Sequence, residues 1–133
     1  MTLECINPED LPRPETYTQV VVAKGTRLVF VSGQEPEDLH GRLVGRGDLR
    51  IQARQIFANL GRALGAAGAR SEQVARITIY VADYRRDEHL PIIEKARGAF
   101  GDHKAADVVV GVALLSPGCL IEVDAIAVID DAA

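Results

Sequence analysis

Three carboxylates in the C-terminal quarter of this sequence are placed where an acid is expensive. In "CLIEVDAIAVI", Glu122 and Asp124 lie inside an apolar strand-like run, flanked by Ile121, Val123 and Ala125. Asp107 opens the preceding apolar run, "ADVVVGVALL". A carboxylate in such a setting is solvated on a polar sheet face, paired with a cation, or retained for chemistry. If Asp107 stands beside Glu122, two like charges share a site and one proton is held between them, which makes an acid/base pair. Asp124 has the same side parity as Glu122 in a regular strand, so one of the two is free to pair elsewhere, for instance with an arginine of a second copy.

Other groups with reactive chemistry are more scattered. Ser32 precedes Gly33 in "VSGQ", a pair that shapes a turn or bulge or presents a hydroxyl beside an accessible backbone. Tyr17 opens "TYTQVVVAKG", and its hydroxyl is either in water at a strand edge or in a site. Cys119 follows the turn "SPG" with no base implied nearby, and reads as a small buried strand residue rather than a nucleophile. His103 and Lys104 belong to the loop "FGDHKAAD" before Asp107. His103 reads as a surface loop histidine.

The elements that must position these groups are legible in the apolar periodicity. "TYTQVVVAKG" and "TRLVFVSGQ" are β-branched runs joined by a short glycine-containing link, and predict a hairpin. "EPEDLHGRLVGRG" predicts a long surface connection. From Asp48 the apolar residues recur at helical steps, Leu49, Ile56, Leu60, Leu64, until Gly68, so a helix capped by Asp48 and stopped by Gly68 is expected. "QVARITIYVAD" alternates as a strand. A second helix is expected to open at Asp87, with Pro91 in its first turn and a stripe of Leu90, Ile93, Ala96, Arg97 and Phe100. Two strands close the chain. The order strand, strand, helix, strand, helix, strand, strand predicts an α/β two-layer sandwich, a mixed sheet with two helices on one face. The other face, rich in apolar residues, needs cover, and self-association through it is expected.

The chain has 133 residues, a range suited to one domain over 1–133, with 47% hydrophobic and 26% charged residues. Its net charge of −4 offers no broad basic field, which makes nucleic acid a poor partner. Its two cysteines, Cys5 and Cys119, lack metal-ligand spacing, and neither ligand clusters nor a phosphate-cradling glycine loop appears, so no metal and no tightly bound cofactor are expected. The N-terminal stretch "MTLECINPEDLPRPE" lacks leader character, and no run reaches membrane-span length, so a cytoplasmic protein with no membrane association is expected.

Several stretches, taken together, resemble a known family: "TYTQVVVAKGTRLVFVSGQEP", "GRLVGRGDLRIQARQIFANLGRALGAAGA", "VARITIYVADY", "FGDH" and "LIEVDAIAVI" match, in order and spacing, the reactive intermediate deaminase (Rid, or YjgF) family. The resemblance implies a chorismate-mutase-like fold, a homotrimer with sites in the clefts between subunits, and hydrolysis of enamines or imines to a keto acid and ammonia. It implies that Tyr17, Ser32, Gly33 and Glu122 line the site, with Glu122 orienting water. The family's carboxylate-gripping arginine is missing, and counting back from Glu122 puts Asp107 in its place. An asparagine often found in the second helix falls on Ile93, and Lys104 is a candidate replacement cation from the loop. The function expected is therefore a Rid-like small-molecule deaminase with altered substrate range. A diverged enzyme using Asp107 with Glu122 for proton transfer, and a non-catalytic trimer that binds a ligand or protein, are the alternatives.

Overall fold

In the computed structural model, which describes residues 3–131, six strands and two helices alternate along the chain: β1 (Leu3–Ile6), β2 (Val20–Ala23), β3 (Arg27–Gln34), α1 (Leu49–Ala66), β4 (Val74–Ala82), α2 (Arg86–Phe100), β5 (Ala106–Val112) and β6 (Ile121–Ile129). A single 3₁₀ turn, Ser71–Gln73, leads into β4. Four strands form the main sheet in the order β3-β6-β4-β5. β6 runs antiparallel to both β3 and β4, whereas β5 runs parallel to β4. The parallel pair needs a crossover, and α2 is that crossover. The result is the expected α/β sandwich, a mixed sheet with two helices.

The expected hairpin is not present. β2 pairs with β1, a strand the sequence reading did not foresee, and β3 pairs with β6. The glycine-containing link therefore turns the chain from a small two-stranded ribbon into the main sheet. The β-branched pattern of "QVVVA" fixed a strand but not its partner, because pairing depends on contacts far away in sequence.

The helices follow their local signals. Asp48 caps α1, its carboxylate accepting from the Ile51 N–H at 3.2 Å, and Gly68 ends it in the left-handed region at φ +77°. α2 begins one residue before the expected Asp87. Asp87 and Glu88 lie in its first turn, where carboxylates favour the helix dipole, while Pro91 falls in the second turn rather than the first.

Alternation along β4 and β6 separates two faces. Ile77, Ile79, Val81, Ile121, Val123 and Ala125 point under the helices and meet Ile56, Phe57, Leu60 and Leu64 of α1. Each large aliphatic group so buried contributes about 1.5–3 kcal/mol before entropy is counted. On the helix-free face, Leu28 and Phe30 of β3 are 62% and 70% exposed, and Val108 and Val110 of β5 are also exposed.

Buried Gln52 ties loops to this frame. Its amide donates to the carbonyls of Gly45 (3.1 Å) and Gly118 (3.0 Å) and accepts from the Leu120 N–H (2.7 Å). Asn59 likewise donates to the carbonyls of Glu35 and Glu37. One helix thereby fixes both the loop after β3 and the turn before β6.

Candidate functional site

Because β6 has a two-residue side-chain period, Glu122 and Asp124 both leave the core and reach the helix-free face, opposite Tyr80 and Thr78 of β4. Their surroundings then distinguish them. Tyr80 donates its hydroxyl to Asp124 Oδ2 at 2.8 Å, and that bond pushes the phenol's pKa up. Asp124 is thus held by its own chain. Glu122 accepts no hydrogen bond among the described residues, and its carboxyl pKa is raised by burial, then by the charges of Glu35 and Asp124.

Glu122 lies directly against Gly33. A Cβ built on that glycine falls 2.0 Å from Glu122 Oε2, so any side chain there would displace the carboxylate. The backbone is irregular at this point, with a register shift between Val31 and Gln34, and the exposed Ser32 lies within it. Glu35 completes the rim. It accepts from Ser116 Oγ at 2.5 Å, and the Cys119 thiol points to its other oxygen at 3.8 Å. Burial, followed by the Glu35 and Glu37 charges, pushes the Cys119 thiol up to about 11. That cysteine is no nucleophile at neutral pH.

Tyr17 stands elsewhere. It precedes β2 instead of opening a strand, in a segment held along the start of β5 by the Thr18 N–H donating to the Ala105 carbonyl at 3.1 Å and the Thr18 hydroxyl donating to the Lys104 carbonyl. Tyr17 lines an open cleft of about 460 Å³, together with Arg76, Tyr84, Arg86 and Glu94. The described chain therefore carries two separate groups, the Glu122–Gly33 rim and the Tyr17 cleft.

Asp107 corrects the expectation of an acid/base pair. It is opposite Ile77 in the parallel register, which puts its side chain on the helix-covered face, away from Glu122. There it pairs with Arg97 Nη1, both side chains being almost fully buried, and Glu94 Oε1 lies 3.2 Å from Arg97 Nη2. A guanidinium on the inward stripe of α2 requires a carboxylate, and Asp107 supplies it. Burial raises the pKa of Glu94, with Asp107 adding to the rise and Arg97 opposing it.

Two further candidates are also corrected. Ile93 is fully buried in the core and faces no cleft, as an aliphatic group on that stripe should. Lys104 is exposed and enters the fold through its carbonyl rather than its ammonium group. His103 bonds through Nε2 to the Val74 carbonyl at 2.7 Å and anchors the loop. The sequence reading missed Arg76, Arg86, Glu94 and Glu35 as site-lining groups. Among the described residues, no three His, Cys, Asp or Glu side chains converge as metal ligands, and no helix is long and apolar enough to cross a membrane.

Comparison with known proteins bears on this geometry. The family profile described as Endoribonuclease L-PSP matches residues 10–129. The RutC family protein PH0854 of Pyrococcus horikoshii is 34% identical over 125 residues, covering 93% of this chain and 96% of the relative. The 3-aminoacrylate deaminase RutC of Acinetobacter baylyi is 29% identical over 127 residues, covering 96% and 98%. Among solved structures, the Rid-family protein YyfB of Yersinia pestis superposes with a TM-score of 0.89 at 34% identity, covering 96% of this chain and 99% of that one. These matches extend over nearly the whole chain and include both the Glu122–Gly33 rim and the Tyr17 segment, so the chain belongs to the Rid family, the group also described as Endoribonuclease L-PSP.

Proposed function

We propose that this protein is a hydrolytic deaminase of small imines or enamines, acting at a composite cleft that forms when the Glu122–Gly33 rim of one copy meets the Tyr17 cleft of the next in a homotrimer. The observation that carries the reading is the carboxylate of Glu122, free of hydrogen bonds and folded onto Gly33 at an accessible rim. In its ionised form it orients a water and takes a proton as the oxygen adds to the C=N carbon. The resulting carbinolamine expels ammonia and leaves a carbonyl, so that imine and water give ketone and ammonia. Ser32 and the Gly33 backbone on one side, and the Tyr17 hydroxyl on the other, hold the substrate. The deaminase activity named for the RutC relative supports this class of chemistry. RNA cleavage fits less well, since the charges of Glu35 and Glu122 on the rim repel phosphates.

The test is a coupled assay in which an amino acid oxidase generates imino acids and semicarbazide traps what remains. Wild-type protein should reduce trapping. Glu122→Gln should lower that activity by about 10²–10⁴-fold. The pH profile has a defined sign: the base form is required and its pKa is raised from 4.5, so activity should fall as pH drops through an acidic limb displaced above that value. Wild-type protein that leaves trapping unchanged for every imino acid tried would exclude the reading.

A further inference from the structure

The outward side of the two helices carries a charge pattern that neither the family match nor the deaminase reading uses. α1 holds three arginines and no acid over its 18 residues, in a chain whose acids outnumber its Lys and Arg by 19 to 15. Arg50 lies in the first turn of α1, where the helix dipole opposes a cation. Nothing within the chain offsets that placement: Arg50, Arg54 and Lys95 are exposed and make no ion pair among the described residues. Arg50 and Arg54, four apart, share one face of α1, and Lys95 reaches the same concavity from α2. Two hollows of about 350 and 340 Å³ have Arg54, Ala96 and Ala99 in common, so they form one groove between the helices. Ile92, Phe57 and Phe100 give it an apolar floor, and among the described residues no carboxylate lines it. Gly61 lies on the same floor, inside α1, where glycine is less favourable than alanine. A Cβ there would meet only Phe100, at 3.9 Å, an ordinary contact. Packing within the chain therefore does not require the glycine.

We propose that this groove docks an acidic, amphipathic helix of a partner protein, with apolar residues facing the floor and carboxylates along the flank. Helix-in-groove recognition uses apolar anchors at i, i+3, i+4 and i+7, and two parallel helices with a hollow between them offer the matching channel. Charge selects the occupant. Three unopposed cations around an acid-free opening match Asp and Glu, and the two guanidiniums can each take a carboxylate as a fork. The apolar floor and the narrow basic field favour a peptide over RNA or an anionic membrane, since a chain of net charge −4 offers a polyanion nothing beyond these three cations. Gly61 then has a reason: without a Cβ, α1 lets the partner's side chains come close to its backbone. The copies proposed above close the helix-free face, on the far side of the sheet, so the groove stays open in that assembly.

Fluorescence anisotropy with defined probes tests the proposal. The probe is a labelled peptide of about 14 residues, four helical turns, with leucine at the anchor positions and glutamate on the flank. The same peptide with glutamine for glutamate, a single-stranded oligouridine and vesicles of anionic phospholipid are the comparisons. Wild-type protein should bind the acidic peptide at least about tenfold more tightly than the glutamine peptide, with affinity falling as salt is raised. Arg54→Glu should weaken binding about ten- to a hundredfold. Lys24→Glu, the same change of net charge at an exposed position between β2 and β3, should alter it less than about twofold. Gly61→Leu, which fills the floor while replacing glycine with a stronger helix former, should weaken it at least about tenfold with no loss of melting temperature. The proposal is overturned by equal binding of the two peptides, by no binding of either up to about 1 mM, or by tighter binding of the RNA or the vesicles. Equal losses in Arg54→Glu and Lys24→Glu, or wild-type affinity in both Arg54→Glu and Gly61→Leu, overturn it as well. Imino acid hydrolysis enters none of these outcomes, so the groove and the deaminase reading stand or fall separately.

Discussion

Arg97 has two carboxylates within reach and a nearly sealed surrounding, and its Nη2 and Nε complete no hydrogen bond of good geometry. A buried pair of this kind adds little net stability over an apolar replacement, but halving it leaves a bare charge in the core. Arg97→Met should therefore cost about 3–5 kcal/mol in urea unfolding, and Arg97→Met/Asp107→Leu should recover most of it. If the single variant unfolds like the wild type, the pair is not buried as described. The same geometry changes what Asp107→Arg would do. Judged by family resemblance, it restores a carboxylate grip; judged by its place in the sheet, it sets a second guanidinium against Arg97. The expected outcome is a lower melting temperature with no gain in imino acid hydrolysis.

At the scale of elements, β6 carries the carboxylates Glu122 and Asp124 on one face and core on the other, and Cys119 stands just before it on the buried side of the turn. With its thiol pushed up to about 11 and only 7% of its surface exposed, its thiolate fraction at pH 8 is about 10⁻³. Alkylation of the folded protein should label the exposed Cys5 alone, with Cys119 reacting only after denaturant is added. Rapid modification of both thiols would mean that the Glu35 loop opens readily. Elements of this kind were largely legible in the sequence: helical spacing from Leu49 to Leu64, the Asp48 cap and the alternation of β4 all follow from local rules. Pairing was not, since nothing local told β2 to choose β1 over β3. The position of Asp107 lay between these cases. An arginine on the apolar stripe of α2 required an inward carboxylate, and the first acid of the next strand was the available one; reading each element alone concealed the match. Arg76 and Arg86 had no signal of their own, because a cleft between a strand and a helix end exists only once the chain is folded.

The whole molecule presents a helix-free sheet face on which Phe30 and Leu28 are mostly exposed, with Glu122 on the same side. Exposed aromatic and aliphatic groups of this size, in one patch beside a candidate catalytic carboxylate, suit a surface closed by further copies. Phe30→Asp should then reduce the mass in sedimentation about threefold and abolish hydrolysis while leaving the helical signal intact; an active monomer would dismiss the trimer. A second consequence concerns the division of the site. Glu122 and Tyr17 sit in separate groups of one chain, so in the composite cleft proposed above the former comes from one copy and the latter from its neighbour. Glu122→Gln and Tyr17→Ala proteins, each impaired alone, should regain activity when unfolded together and refolded as a mixture. Random assembly puts an intact rim beside an intact Tyr17 cleft at about a quarter of the interfaces, so recovery should approach about a quarter of wild-type activity. If both groups instead served one site within a single chain, every site in the mixture would carry a defect and no recovery would appear. Complementation thus reads out the architecture of the site independently of which imine is used as substrate.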